Sequence, residues 1–265
     1  MARAVATVVT LAVVLAGCSG FVQQDSPETV TPAAVPTDGA GYPPGVADDA
    51  VVPSTLASAH ERALATSNYT LAARQWVTDR NGTVLRRSNH TRHVAANDTT
   101  YAGRFHQSGT ELNVFTSRID YWTNGTIVAA QYDERADRPH RVQWAVRDEG
   151  PISDLTERRT VLGVAEAVDL SVADRVDGGV VLVGTRLRNP DRLVTPLFVS
   201  DPRNVSVRLR VSHDGIVEAL ALAYDAERSG QRVRVTHDIR VTEIGSTTVV
   251  RPDWVENTSR QSLQE

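Results

Sequence analysis

Few residues in this sequence are placed to do chemistry, and the clearest of them is a cysteine near the start. Cys18 is the only cysteine in 265 residues, and it follows an apolar run from Ala4 to Ala16 that itself follows one basic residue, Arg3. A basic start and an apolar run of about 13 residues are the layout of a secretion signal, whereas a membrane-spanning helix needs roughly 20. One thiol in this position can carry a lipid, but it can form neither a disulfide within the chain nor a cysteine zinc site.

The residues Leu15-Ala16-Gly17-Cys18 resemble the lipobox of prokaryotic lipoproteins, in which the mature chain begins at a lipid-modified cysteine. The resemblance implies a signal peptide over 1–17 and a lipid anchor on Cys18 at the extracellular face of the cell membrane. Because one acyl chain anchors a protein only marginally, we expect a two-chain lipid. Residues 18–53 combine six prolines with acidic side chains and no Arg, which predicts a disordered stalk after the anchor.

Charge restricts the class of partner. All 28 basic residues are Arg, and residues 54–265 carry as many acidic as basic side chains. This balance lacks the concentrated positive surface of a nucleic-acid-binding protein, so we expect no nucleic acid partner. Arg without Lys, together with an Asp-rich acidic set, suggests a haloarchaeal source.

Glycan acceptors are a second class of candidate residues. Seven of the nine Asn lie in Asn-x-Ser/Thr sequons, which mark exposed glycan acceptors in exported proteins. We predict a glycoprotein, although a Thr-rich strand protein also produces sequons incidentally. The seven are Asn68, Asn81, Asn89, Asn97, Asn124, Asn204 and Asn257.

Neither metal binding nor catalysis has a pattern in the sequence. His90 and His93 are three residues apart on a predicted strand, so they face opposite sides and form no metal pair. The chain has no Gly-x-Ser-x-Gly elbow, no His-Glu-x-x-His helix and no phosphate-binding loop. We therefore predict no catalytic residues, no metal, no cofactor and no enzyme. A triad assembled from distant segments stays open.

The elements that position these residues are mostly strands. An apolar face at Leu56, Ala59 and Leu64 predicts a helix over 54–66, capped by Ser54. Beyond it, Asn-Gly and Asp-Gly dipeptides separate alternating segments, as in β-hairpins. Two further segments, 152–168 and 190–197, have helical character. The predicted strands lie near 69–79, 83–95, 98–107, 111–120, 121–132, 139–147, 168–176, 179–188, 203–213, 215–226 and 230–243.

A sheet of about eleven strands curls, and its apolar face needs a cover. We predict a mainly β (α+β) domain over 54–256, with a flexible tail over 257–265 and no second domain. Its architecture is a strongly curved antiparallel half-barrel with a few helices over the concave side. Tryptophans are expected in the core, with Trp144 on the clearest inward face.

This layout resembles the lipoprotein-carrier fold of LolA and the LppX-like lipoproteins, and it is even closer in plan to haloarchaeal surface lipoproteins. The features that carry the resemblance are the lipobox, the stalk, the helix entering Asn68-Tyr69-Thr70, and the closing segments 244–249 and 251–255. The resemblance implies a cavity for acyl chains beneath the helices. Its expected lining is Val207, Leu209, Leu220, Leu222, Val233 and Val235, with His237 at a ligand headgroup.

Each of these candidates also has a structural interpretation. His237 lies between Val235 and Ile239 on an apolar face, and a histidine there is more often bonded to neighbouring backbone. A stripe of outward arginines could bind an anionic group, yet we expect it to pair with acidic residues across strands. The stripe consists of Arg208, Arg210, Arg232, Arg234 and Arg240.

These residues and patterns are consistent with two functions. The leading hypothesis is a membrane-anchored extracellular lipoprotein that binds a lipid or another hydrophobic ligand in the concave cavity, without catalysis. The alternative is a structural or partner-binding glycosylated lipoprotein with a filled core and no ligand. The sequence names neither the ligand nor the protein partner.

Overall fold

Strands separated by tight turns make up most of the chain, and the computed structural model describes residues 41–111, 116–134, 140–146 and 152–260. The helices are α1, Pro53–Ala65, and α2, Arg158–Ala167, with short 3₁₀ helices at Pro190–Arg192 and Asp253–Asn257. The strands are β1 Tyr69–Thr78, β2 Val84–Val94, β3 Thr100–Ser108, β4 Thr116–Asn124, β5 Ile127–Glu134, β6 His140–Ala145, β7 Ser171–Val176, β8 Gly179–Gly184, β9 Val199–Ser212, β10 Val217–Arg228, β11 Gln231–Thr242 and β12 Ser259–Arg260.

All of these strands form one sheet, in the order β12-β6-β5-β4-β3-β2-β1-β11-β10-β9-β8-β7. Two antiparallel meanders, β1–β6 and β7–β11, meet where β1 pairs with β11. The two-residue β12 adds to β6 in parallel. The sheet is open and curved and is accompanied by two helices, which confirms the predicted mainly β half-barrel.

Most strand positions agree with the prediction, but the boundary between the fourth and fifth strands was wrong. The sequence placed it at 120–121, whereas the turn lies at Asn124-Gly125. The Asn124 side-chain oxygen accepts the N–H groups of Thr126 and Ile127, each at 3.0 Å, and Gly125 has φ +85°. An Asn that caps its own turn and a Gly with positive φ are the requirements of a tight hairpin.

Both helix starts also differ from the prediction. Pro53 rather than Ser54 opens α1, and the side chain at the N-cap makes no capping bond. Helix α2 begins at Arg158, six residues after the predicted start. Its first N–H groups are capped by Asp154, which lies four residues before the helix. The two Asp154 carboxylate oxygens accept the N–H groups of Arg158 and Arg159, each at 2.9 Å.

The side of the sheet that faces the two helices is called the inner face here, and the opposite side is the outer face. Leu56 and Leu64 of α1 and Val161 and Val164 of α2 belong to one apolar cluster with the strands. His60 joins the layers: its Nδ1 accepts the N–H of Val217 at 3.0 Å, and its Nε2 lies 2.8 Å from the Thr156 carbonyl. Burial lowers the pKa of His60, so the ring is held neutral with its proton on Nε2.

The ordered domain extends beyond the predicted limits of 54 and 256. Residues 41–52 lie against it, where Val46 is buried in the main core and Tyr42 stacks on Arg175 at 4.2 Å. The stalk prediction is therefore wrong for residues 41–53, and its remainder lies outside the described residues. At the other end, Ser259 of the predicted tail pairs with Val142 in the sheet. No helix of the described residues is long and apolar enough to cross a membrane.

Candidate functional site

The inner face is aliphatic over β8–β11, whereas in its other half, called the polar half, buried polar groups lie among apolar side chains. Strands β8–β11 present aliphatic side chains, whereas β2 presents Ser88, His90 and Arg92 opposite Gln75, Ala73 and Leu71 of β1. Opposite residues of paired strands share a face. The polar half includes the one buried Arg of the described residues.

The residues predicted to line a ligand cavity all lie in the apolar half. Each is buried, from 0% exposed at Leu209 and Val235 to 8% at His237. The six aliphatic ones belong to the cluster that includes both helices. Ligand binding by this set stays a prediction. The set is Val207, Leu209, Leu220, Leu222, Val233, Val235 and His237.

His237 lies between Leu222 of β10 and Gln75 of β1 in the register of the sheet. Its buried Nδ1 has no hydrogen-bond partner among the described residues. Burial lowers the pKa of His237 by more than the negative charge of Glu157 raises it, so the ring is neutral. The predicted bond to neighbouring backbone is therefore not found at Nδ1.

Arg92, only 4% exposed, fixes the segment before α2 to the sheet. Its Nη1 donates to the carbonyls of Asp154 at 2.9 Å and Leu155 at 3.0 Å, and its Nη2 donates to Glu157 Oε1 at 2.5 Å. The other Glu157 oxygen accepts the Thr160 hydroxyl at 2.9 Å. A buried charge persists only when it is paired and hydrogen-bonded, and this guanidinium is both.

His90 extends the Arg92 cluster across the strands. Its Nδ1 accepts from Arg92 Nη2 at 2.9 Å, which leaves the ring proton on Nε2 to donate to the Tyr121 hydroxyl at 2.7 Å. The Tyr121 ring reaches that position across Gly103, where an added Cβ would lie 2.2 Å from the hydroxyl. Burial and the Arg92 charge lower the pKa of His90 to about 3, so it holds no charge at neutral pH.

The two histidines weighed as a metal pair lie apart, as predicted. His90 is on the inner face with Tyr121, whereas His93 bonds Thr70 on the outer face at 3.1 Å. No group of three His, Cys, Asp or Glu in the described residues could hold a metal ion.

The outer face carries a pocket that the sequence did not predict. The C-terminal segment, residues 249–255, crosses this face. Its Val255 forms a second small core with Trp122 and Ala129, which are 6% and 0% exposed. Beside that core lies a cavity of about 560 Å³, called the outer pocket. Its lining is Thr91, His93, Ala102, Gly103, Arg104, Arg118, Asp120, Tyr121, Gln131, Pro252 and Trp254.

One carboxylate and two guanidinium groups form the charged part of the outer pocket. Asp120 accepts from Arg104 Nε at 2.6 Å and from Arg118 Nη2 at 2.6 Å and Nε at 3.3 Å. The hydrogen bond to Asp120 raises the pKa of Arg118, and the charge of Asp133 opposite it adds to the shift. The Asp120 side chain is 11% exposed, whereas those of Arg104 and Arg118 are 59% and 37% exposed.

The predicted arginine stripe is partly ion-paired. Arg210 pairs with Glu218 at 2.8 Å, and Arg234 pairs with Asp225 at 2.9 Å. Arg232 and Arg234 line a second outer cavity of about 500 Å³. This cavity differs from the outer pocket because no aromatic side chain lines it.

The modification sites separate by exposure. Asn68 and Asn89 are half-buried, and the Asn68 side chain donates to the Thr247 carbonyl at 2.6 Å. Glycosylation itself stays a prediction at every position, and Cys18 lies outside the described residues. The exposed acceptors are Asn81, Asn97, Asn124, Asn204 and Asn257.

The outer pocket depends on residues that sequence reasoning assigned to the core. A signal was present in Ile127-Val128-Ala129-Ala130, since an apolar run without alternation indicates a strand covered on both faces. Nothing in the sequence indicates that Trp254 covers that strand, because the contact joins segments more than 120 residues apart.

Comparisons with protein-family models and with curated proteins found no match. Among solved structures, the chain is similar to MucB in its crystal structure in complex with MucA(peri), with 15% identity and a TM-score of 0.30. The match covers 77% of this chain and 59% of the MucB chain, so it spans less than two thirds of that protein. At this TM-score the likeness supports no functional statement, and the resemblance to lipoprotein carriers stays a prediction.

Proposed function

We propose that this protein is a lipid-anchored extracellular binding protein that performs no chemistry and recognises its partner outside the inner core. The location rests on the order of the apolar signal, Leu15-Ala16-Gly17-Cys18 and the acidic stalk. Such an anchor and stalk hold a domain at the membrane surface and require no transmembrane helix.

The observation that carries this proposal is the packing of the inner face. A cavity wide enough for an acyl chain leaves accessible surface on the side chains that line it. Leu209, Leu220 and Val235 retain at most 1% of theirs, and they share a cluster with both helices. Close packing of this kind supports a core that stabilises the fold, and it favours the partner-binding alternative over a lipid cavity.

The polar half of the inner face supports the absence of catalysis. Arg92 donates to two backbone carbonyls and Glu157, and both ring nitrogens of neutral His90 are hydrogen-bonded. These groups hold the segment before α2 in place. None of them is left with the free proton acceptor or donor that general acid–base catalysis needs at neutral pH.

Native mass spectrometry of the full lipidated chain, purified in detergent from its host membrane, tests the proposal. We expect the mass of the chain with its covalent lipid and glycans only. A stoichiometric noncovalent lipid that is lost on organic extraction would contradict the filled core and restore the lipid-binding hypothesis. The same preparation, titrated with a dialkyl ether phosphatidylglycerol, is expected to keep its melting temperature.

A further inference from the structure

The outer pocket has the size and construction of a ligand site. Its volume of about 560 Å³ falls within the roughly 300–1,000 Å³ of small-molecule sites. Val255 of the C-terminal segment packs on Trp122 and Ala129, which places Trp254 beside the cavity. The pocket thus lies beside a small core that is separate from the main one.

Hydrogen-bond donors predominate in this pocket. The carboxylate of Asp120 is occupied by Arg104 and Arg118. Within the described residues, the two terminal nitrogens of Arg104 have no acceptor. Gln131 adds another donor: its Oε1 accepts from Arg141 Nε at 2.7 Å, and its amide N–H groups have no acceptor in the part of the chain that the structure describes.

Two guanidinium groups around one saturated carboxylate favour a ligand that brings acceptors and negative charge. Arg is suited to carboxylates because its planar fork donates two parallel hydrogen bonds. The Arg104 side chain is 59% exposed, and its two terminal nitrogens provide such a fork at the pocket. The ligand is therefore expected to carry a carboxylate group.

The remaining lining distinguishes between carboxylate ligands. Trp254, which is half-buried, and Pro252 form an apolar wall, and the other purely apolar side chain is Ala102. An acidic peptide has aliphatic parts in its side chains, and these would find little apolar surface in the outer pocket. A sugar ring combines an apolar face, which suits an aromatic wall, with hydroxyls that suit guanidinium, amide and carboxylate groups.

We infer that the outer pocket binds an acidic saccharide, a sugar ring that carries a carboxylate. The inference names the partner class of the proposed binding function and rests on it. Arg104 binds the carboxylate, Gln131 and Arg118 bind hydroxyls, and Trp254 contacts the ring.

Calorimetric titration of the full lipidated chain in detergent at low ionic strength tests this inference, with trigalacturonate as the acidic probe and a neutral trigalactoside as its match. We expect trigalacturonate to bind at least ten-fold more tightly than the neutral probe. Arg104→Gln is expected to weaken binding of the acidic probe at least five-fold, while Asp120 keeps its bond to Arg118. Trp254→Leu is expected to weaken binding of the acidic probe as well.

Arg232→Gln is the matched control, because Arg232 lines the second outer cavity. It is expected to leave trigalacturonate binding unchanged. The inference would be overturned if both sugars bound equally or if neither bound. It would also be overturned if Arg232→Gln weakened trigalacturonate binding and Arg104→Gln did not, or if a tri-glutamate peptide bound more tightly than trigalacturonate. A copurifying lipid contradicts the proposed function instead, whereas a lipid-free chain that binds no sugar contradicts only this inference.

Discussion

The inner face of β8–β11 and the outer face of β3–β5 are both apolar in part, but they differ in how completely other segments cover them. On the inner face, inward aliphatic side chains and two helices leave Leu209 and Val235 with no exposure. On the outer face, a C-terminal segment covers Trp122 and Ala129 and leaves a polar pocket beside them. The difference indicates that the face with the strongest hydrophobic pattern stabilises the fold, while the incompletely covered face remains available to a partner.

Loss of the buried arginine is expected to have the largest effect on stability. Arg92→Met leaves Glu157 and two carbonyls unpaired in the interior, which lowers the free energy of unfolding by about 3–5 kcal/mol. Arg87→Met is the control, since Arg87 lies on the outer face of β2, exposed and 5.5 Å from the Trp76 ring. Urea unfolding of both variants measures the difference. Equal losses would remove the distinction between the two faces.

Overpacking tests whether the inner core is full. Leu222→Trp forces a larger ring between Val207 and His237, and we expect a loss of about 1–3 kcal/mol in the free energy of unfolding. Ala221→Trp places the same ring on the exposed outer face and is expected to cost less. An unchanged or raised stability of Leu222→Trp would indicate an open space beneath the helices.

Acid is expected to weaken the packing of the inner face through three histidines. The pKa values of His60, His90 and His237 are lowered mainly by burial, so the unfolded chain binds more protons than the folded one below about pH 6.5. Stability therefore falls as pH decreases from about 6.5, by at most about 1.4 kcal/mol per pH unit for each histidine. For His90 this window extends down to about pH 3.

The contribution of His90 is measured by unfolding at pH 7.5, 6.5, 5.5 and 4.5. His90→Gln is expected to lose part of the pH dependence, and His106→Gln, on the outer face of β3, is the matched control. A wild-type slope in His90→Gln would show that the ring is charged or solvated in the folded protein.

The smallest effect is expected from the ion-paired arginine stripe. Arg234 pairs with Asp225, but its side chain is 50% exposed, so Arg234→Gln is expected to change the free energy of unfolding by less than about 1 kcal/mol. The change should shrink further in high salt because exposed charges are screened. A loss comparable to that of Arg92→Met would contradict the expectation that this exposed ion pair contributes little to stability.

Local patterns in the sequence predicted the fold well, because strand alternation and turn dipeptides act over short distances. The spacing of Val205, Val207 and Leu209 alone predicts an inward face. Asn124-Gly125 marks a turn, although the predicted limits of the two strands beside it were wrong. Arg92 carries no such signal, since its partner Glu157 is 65 residues away in sequence. The outer pocket likewise requires a C-terminal segment to cross strands that it does not follow. Contacts of this kind depend on the assembled sheet.

The four tryptophans allow one measurement that tests the central claim directly. Trp144 packs against the inner core, Trp254 lines the outer pocket, Trp122 lies in the small outer core, and Trp76 contacts Arg87 elsewhere on the outer face. Fluorine NMR of the full chain labelled with 5-fluorotryptophan, with resonances assigned by single Trp→Phe variants, reports each region separately.

Trigalacturonate is expected to shift the Trp254 resonance most and to leave Trp144 unchanged. A dialkyl ether phosphatidylglycerol is expected to shift none of the four resonances. A shift of Trp144 by the lipid, with Trp254 unaffected by the sugar, would show that the protein binds through its inner face and would contradict the account.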